Sequence, residues 1–134
     1  MADQPFPIDF ATLTPDTRPR RWLVLPAGFG AEATPDQESP VFQAGPDAVI
    51  QAFRETALAA PRTTLTREGG GQIELVQKSA VFGFPDFITA QAVETPDGTG
   101  LCVYSRAVMG QYDFKVNRKR VEAWLQETAK RLST

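Results

Sequence analysis

The sequence contains no histidine. This absence removes the side chain that most often acts as a general base near neutral pH, and with it the commonest metal ligand. Nucleophile pairs that depend on histidine are excluded as well. The run Gly69-Gly70-Gly71 lacks the flanking residues of a phosphate-binding loop or a dinucleotide fingerprint. We therefore predict no catalytic residue, no metal ligand and no cofactor.

Cysteine is almost as scarce, because Cys102 is the single one in the chain. An internal disulfide is therefore impossible. Cys102 lies in the alternating run Leu101-Cys102-Val103-Tyr104, which is typical of a strand. A reactive thiol requires a cationic or helix-terminal setting, and this run offers neither, so we predict a small packed side chain.

Long apolar runs are missing too. No stretch approaches the ~20 residues that a membrane-spanning helix needs, and residues 1–5 have neither the basic nor the apolar region of a signal peptide. We expect a cytoplasmic protein with no transmembrane segment. The net charge of −2 means that the molecule as a whole favours neither nucleic acid nor an anionic membrane as a partner.

The first third of the chain is rich in proline, since eight of the eleven prolines lie in residues 1–46. Proline lacks a backbone N–H and has a fixed φ, which excludes long helices and central strands. Large apolar residues recur between the prolines, which a disordered segment would rarely contain. We predict an extended arm over residues 1–46 that wraps the domain, with Trp22–Leu25 as one short edge strand.

Residues 47–134 are predicted to form a helix–sheet–helix body, so that residues 1–134 make one domain. A first helix begins at Pro46 and ends near Ala60, before Pro61. A run of short strands follows up to Val108, and the Thr95-Pro96-Asp97-Gly98 turn indicates antiparallel pairing. Val81–Phe84 and Phe87–Glu94 are either two strands or one bent strand.

A closing helix is predicted over Val116–Leu132, because an apolar stripe recurs there at helical spacing. The fold class is therefore α+β. An antiparallel sheet of about four strands is covered on one face by two helices, in the order helix-β-β-β-β-helix. Aromatic residues crowd the second half of this body, and we interpret them as core and not as the lining of a ligand cavity. These aromatic residues are Phe82, Phe84, Phe87, Tyr104, Tyr112, Phe114 and Trp124.

Residues 105–124 read S-R-A-V-M-G-Q-Y-D-F-K-V-N-R-K-R-V-E-A-W. This run resembles the domain-of-unknown-function 1499 (DUF1499) family, which typically reads S-R-S and then G-x-S-D-F/L-G-V-N-R-K-R-I/V-E. The chain departs from that pattern at Tyr112, where the family commonly has serine, and at Lys115, where it usually has glycine. The resemblance implies a domain and no established activity.

The least usual feature of the chain is a run of cations where the closing helix begins: Lys115, Arg118, Lys119 and Arg120. The helix dipole places about half a positive charge at that end, so each cation costs roughly 0.3–1 kcal/mol. Local rules are often broken at functional sites, and free backbone N–H groups at the same end favour an anion. The hypothesis is an anion site made of Arg106, Asp113, Asn117, Arg118 and Arg120.

A structural role is the competing interpretation of the same residues. The cations can pair with Asp86, Asp113 and Glu122, or lie in water where salt screens them. Asp113 is expected to cap the helix or its turn, and Asn117 to tie the helix start to a neighbouring strand or loop.

Two function classes stay open. The first is a non-catalytic binding module for an acidic protein or a small anionic ligand near the closing helix. The alternative is an enzyme that acts on a small anionic substrate, with Asp86 or Asp113 as the acid–base group beside Arg106 and Arg118. A deep pocket that gathers the carboxylates with Arg118 would favour the enzyme, and a basic patch beside an exposed apolar surface would favour docking.

Overall fold

One open sheet of six strands is the centre of the fold in a computed structural model, which describes residues 4–133. The first three residues of the predicted arm therefore lie outside the described range. The strands and helices are β1 (Arg21–Leu25), β2 (Gln37–Glu38), α1 (Pro46–Ala59), β3 (Thr63–Gly69), β4 (Gln72–Lys78), β5 (Pro85–Thr95), β6 (Gly98–Ala107) and α2 (Val116–Leu132). The spatial order of the strands is β2-β1-β6-β5-β4-β3.

The prediction of about four strands was wrong by two, because the arm itself supplies β1 and β2. β1 pairs antiparallel with β6 and parallel with β2. It is therefore an interior strand and not the predicted edge strand. Pro19 and Pro26 flank β1 and do not interrupt it, so every backbone N–H within the strand remains available for pairing. The two-residue β2 forms the edge.

The four strands between the helices form the expected antiparallel meander, in which β3, β4, β5 and β6 pair in sequence. The run Val81–Phe84 is not a strand. It belongs to the loop between β4 and β5, and Gly83 has a φ of 67° there, a conformation that breaks an extended strand.

Both helices pack on one face of the sheet, as predicted. Phe53 of α1 and Trp124 of α2 meet edge to face, with ring centroids 5.9 Å apart. Leu101 and Val103 of β6 point into the same core, together with Val121 of α2. The apolar stripe of the closing helix is therefore the surface that covers the sheet.

The arm covers the opposite face of the sheet. Ile8 and Phe10 pack there against Leu25, Cys102 and Tyr104. Cys102 is fully buried, and burial raises the pKa of its thiol to about 12. The prediction of a packed cysteine is thus confirmed, and the sheet has a buried layer on each side.

Candidate functional site

The start of α2 is held by Asp113, which accepts hydrogen bonds at the turn before the helix as predicted, although the N-cap residue itself is Lys115. One carboxylate oxygen, Oδ1, accepts a hydrogen bond from the backbone N–H of Lys115 at 3.0 Å. The other, Oδ2, accepts from the backbone N–H of Asn117 at 3.0 Å and from its side-chain amide at 2.8 Å. Two of the amides that were expected to receive an anion are therefore already occupied by a side chain of the protein itself.

Asn117 is completely buried and joins three parts of the fold. Besides its bonds to Asp113, its Nδ2 donates to the backbone oxygen of Arg20 at 3.1 Å. Its Oδ1 accepts from the hydroxyl of Ser105 and, at 2.6 Å, from Nη1 of Arg120. All the polar atoms of the Asn117 side chain have partners, as a buried amide requires. The expected tie between the helix start and the sheet is confirmed.

Arg120 belongs to the same buried network. Its Nη2 donates to Oδ2 of Asp86 at 2.9 Å, its Nη1 also donates to the hydroxyl of Ser105 at 3.1 Å, and its Nε donates to Gln77. Burial raises the pKa of Asp86 above its ordinary value, although the charge and hydrogen bond of Arg120 work in the opposite direction. We call Ser105, Asn117, Arg120 and Asp86 the buried junction.

Arg106 lies on the opposite face of the sheet from the other four candidate residues. Successive side chains of a strand alternate between the two faces, so Ser105 faces α2 and Arg106 faces the arm. There Nη1 of Arg106 donates to Thr89 and to the backbone oxygen of Tyr104, both at 2.9 Å. Burial lowers the pKa of this guanidinium to about 10. The five candidates therefore do not converge on one site.

Arg118 lines an open cleft of about 560 Å³. Its guanidinium carbon lies 5.1 Å from the ring centroid of Trp22. Its Nε donates to Glu122 at 3.3 Å, the (i, i+4) pair that the sequence predicts. The residues that line this Trp22 cleft are Thr17, Arg18, Pro19, Arg21, Trp22, Asp36, Tyr112, Asp113, Phe114, Lys115 and Arg118.

A second cleft, of about 400 Å³, lies on the other side of the loop between β6 and α2. Asp86 and Arg120 are among its polar lining residues, and Phe84, Met109 and Val116 are among its apolar ones. Tyr112, Asp113 and Phe114 line both clefts, so a single loop forms the wall between them.

The aromatic residues near these clefts correct the interpretation of the second half as ordinary core. Tyr104 and Trp124 are buried, but Phe82 is 74% exposed and Phe114 is 83% exposed. Phe84 and Tyr112 are exposed as well. They lie on the loops before β5 and before α2, where neither helix covers them.

The two carboxylates considered for acid–base chemistry are both hydrogen-bonded within the described part of the chain. Asp113 holds the start of α2, and Asp86 holds Arg120. Arg118 opens into the Trp22 cleft, whereas Asp86 opens into the second cleft. Among residues 4–133, no three acidic, histidine or cysteine side chains are grouped as a metal ion requires.

Comparison with known proteins places the chain in a family. The family described as "Protein of unknown function (DUF1499)" matches residues 14–128. The chain belongs to the DUF1499 family. This confirms the resemblance carried by residues 105–124.

Other comparisons add little to the DUF1499 assignment. A crystal structure of protein CV1439 from Chromobacterium violaceum is similar at 12% identity and a TM-score of 0.40, over 85% of this chain and 95% of that one. No functional conclusion follows from that likeness. No curated protein matches the chain. No helix within residues 4–133 is both long enough and apolar enough to cross a bilayer.

The departure of this chain from the DUF1499 pattern at Lys115 has a backbone consequence. Lys115 has a φ of 65° and the preceding Phe114 has a φ of 53°. Glycine adopts such angles without strain, whereas other residues meet a steric penalty. The glycine that is usual in the family therefore fits the conformation at this position, and Lys115 adopts it at a cost.

Sequence reasoning missed Trp22 and Ser105 as members of these sites. The alternation in β6 could have identified Ser105, because it shares a face with Leu101 and Val103. Trp22 carried no such signal. It reaches Arg118 only because β1 pairs with β6, and that pairing joins segments about eighty residues apart in the chain.

Proposed function

We propose that the chain is a non-catalytic binding module that holds a small anionic ligand in the Trp22 cleft. The observation that carries this proposal is the position of Arg118. Its side chain is 47% exposed and stacks on Trp22. Only its Nε is bonded to Glu122 among the described residues, so the two terminal nitrogens are available to a ligand.

The charge of the cleft supports an anion. Arg18, Arg21, Lys115 and Arg118 line it, whereas the acidic residues among its described lining are Asp36 and Asp113. Arg21 is paired with Asp36, and Asp113 holds the start of α2. Guanidinium groups bind phosphate and carboxylate oxygens through parallel N–H bonds, so either group fits the chemistry of the lining.

The enzyme alternative is supported by Asp86, which lines the second cleft and whose pKa is raised by burial. A carboxyl group of raised pKa is a feature of acid–base sites. Arg106 and Arg118 both lie away from that cleft, however, and Arg120 already binds the carboxylate. The arrangement therefore favours binding over catalysis.

Titration of the intrinsic tryptophan fluorescence with inorganic phosphate tests the proposal. Trp22 lines the cleft, so a bound anion will change its emission. Arg118→Ala should weaken the apparent affinity about tenfold, because a hydrogen bond to a charged group contributes roughly 1.5–3 kcal/mol.

Lys130→Ala is the matched control, since Lys130 is an exposed cation in the last turn of the same helix. It should bind phosphate as the unmodified chain does. Ionic strength is held constant with chloride, because screening alone weakens surface electrostatics. Equal affinities for the Arg118→Ala and Lys130→Ala chains would contradict the proposal.

A further inference from the structure

Two neighbouring loops expose a set of large apolar side chains at one end of the sheet. One loop lies between β4 and β5, and the other lies between β6 and α2. Phe84 of the first loop and Met109 of the second line the same cleft, so the loops are adjacent. We call the exposed set the aromatic rim: Val81, Phe82, Phe84, Met109, Tyr112 and Phe114.

The side chains of the aromatic rim form a cluster and are not isolated exposed residues. Phe82 and Phe84 stack with ring centroids 5.3 Å apart, and Tyr112 and Phe114 are 6.0 Å apart. A soluble chain rarely exposes contiguous apolar surface of this kind unless it binds something. Phe114 also has a φ of 53°, and backbone strain of that kind concentrates at functional sites.

Cations surround the rim, and the acidic groups beside it are already paired. Lys78 and Arg62 are exposed next to the first loop, and Lys115 is exposed at the end of the second. The acidic residues in the lining of the adjacent cleft are Asp86 and Asp113, which bind Arg120 and the start of α2. The charge around the rim is therefore complementary to an anionic surface.

We infer that the aromatic rim docks onto the surface of an anionic lipid bilayer. The exposed apolar side chains lie on loops and not on one regular face that would match a partner helix or strand. Aromatic rings are stable at the level of lipid headgroups, with lysine and arginine beside them attracted to anionic lipid. This inference goes beyond the proposed function. Tyr112 and Phe114 also line the Trp22 cleft, but docking depends on their exposed rings and requires no ligand in that cleft.

Co-sedimentation of the full chain with phosphatidylcholine vesicles, with and without phosphatidylglycerol, tests the inference. We expect binding to the phosphatidylglycerol vesicles that weakens as salt is added. Phe82→Ser and Phe114→Ser should each reduce partitioning about tenfold, as expected when a buried aromatic ring is lost. Lys78→Glu should reduce it by about fivefold or more.

Val41→Ser is the control, because Val41 is also exposed but contacts the hairpin at Gly98, where β6 begins. The rim lies beyond the opposite end of that strand. Val41→Ser should partition as the unmodified chain does. The far-ultraviolet circular dichroism of each variant confirms folding, and Phe82→Ser should leave the phosphate affinity unchanged because Phe82 lies outside the Trp22 cleft.

Three results would overturn the inference. The first is a failure to bind phosphatidylglycerol vesicles, and the second is equal binding by the Phe82→Ser and Val41→Ser chains. The third is a concentration-dependent dimer in light scattering that Phe82→Ser dissociates, because the rim would then be covered by a second copy of the chain.

Discussion

Arg118 and Arg120 belong to the same cationic run at the start of α2, yet the side chain of Arg120 is buried and that of Arg118 is exposed. Arg120 is 7% exposed and has three hydrogen bonds within the buried junction, besides one to Gln77. Arg118 is 47% exposed, stacks on Trp22 and points into an open cleft. Two residues along a helix correspond to a rotation of about 200°, so the same residue type meets the sheet on one side and solvent on the other.

The number of cations at the start of a helix therefore does not show how many of them are available to bind an anion. Part of the unfavourable charge at the N-terminus of α2 is neutralised by Asp86 inside the protein. The positive charge that remains available to a ligand belongs to the side chains that face away from the sheet. Substitutions in the two regions should therefore differ in their effect on stability.

The largest effect is expected for Arg120→Ala. Removal of one partner of a buried ion pair leaves Asp86 uncompensated, which typically costs about 3–5 kcal/mol. Arg118→Ala should change the free energy of unfolding by less than about 1 kcal/mol, because its pair with Glu122 is exposed. Urea unfolding of the two variants measures both values. Similar losses of unfolding free energy in the two variants would contradict the distinction between the buried junction and the Trp22 cleft.

A smaller effect, of opposite sign, is expected for Lys115→Gly. Glycine adopts the observed φ of 65° without strain, so the variant should gain about 1 kcal/mol in free energy of unfolding. Lys115→Ala separates charge from backbone strain, since it removes the same cation and keeps the β-carbon. If alanine stabilises the chain as much as glycine does, the gain comes from the charge and not from φ.

The smallest effect concerns pH. The pKa of Asp86 is raised in the folded chain above its ordinary value of 3.8, so the unfolded chain loses this proton first as pH rises. The stability of the unmodified chain relative to Asp86→Asn should therefore decline as pH rises from about the ordinary value through the raised pKa, and then level off. Urea unfolding of both chains across that range measures the difference. A difference that grows with pH would mean that Arg120 outweighs burial.

Much of the fold could be predicted because local signals agreed with it. The apolar stripe of α2, which ends at Leu132, and the turn at Thr95–Gly98 are each determined by residues that are close together in the sequence. β1 could not be placed by such signals. Its partner β6 is far away in sequence, and the prolines on both sides of Trp22–Leu25 favoured the prediction of a short edge strand.

The roles of single residues in the candidate site could be predicted, but which of them lie together could not. Asp113 and Asn117 were identified in their structural roles, because a cap and a buried amide have few alternatives. Arg106 was grouped with Arg120, although strand alternation places them on opposite faces. The exposure of Phe82 and Phe114 had no signal, since composition does not distinguish a core aromatic from a loop aromatic.

The interior position of β1 bears on how the chain can be shortened. If residues 1–46 were removed, β6 would become an edge, and its ten residues would present unpaired backbone groups beside the apolar Leu101 and Val103. Such an edge is a template for pairing with other chains. Residues 47–134 alone should therefore aggregate, because the proline-rich segment supplies the strand that pairs with β6.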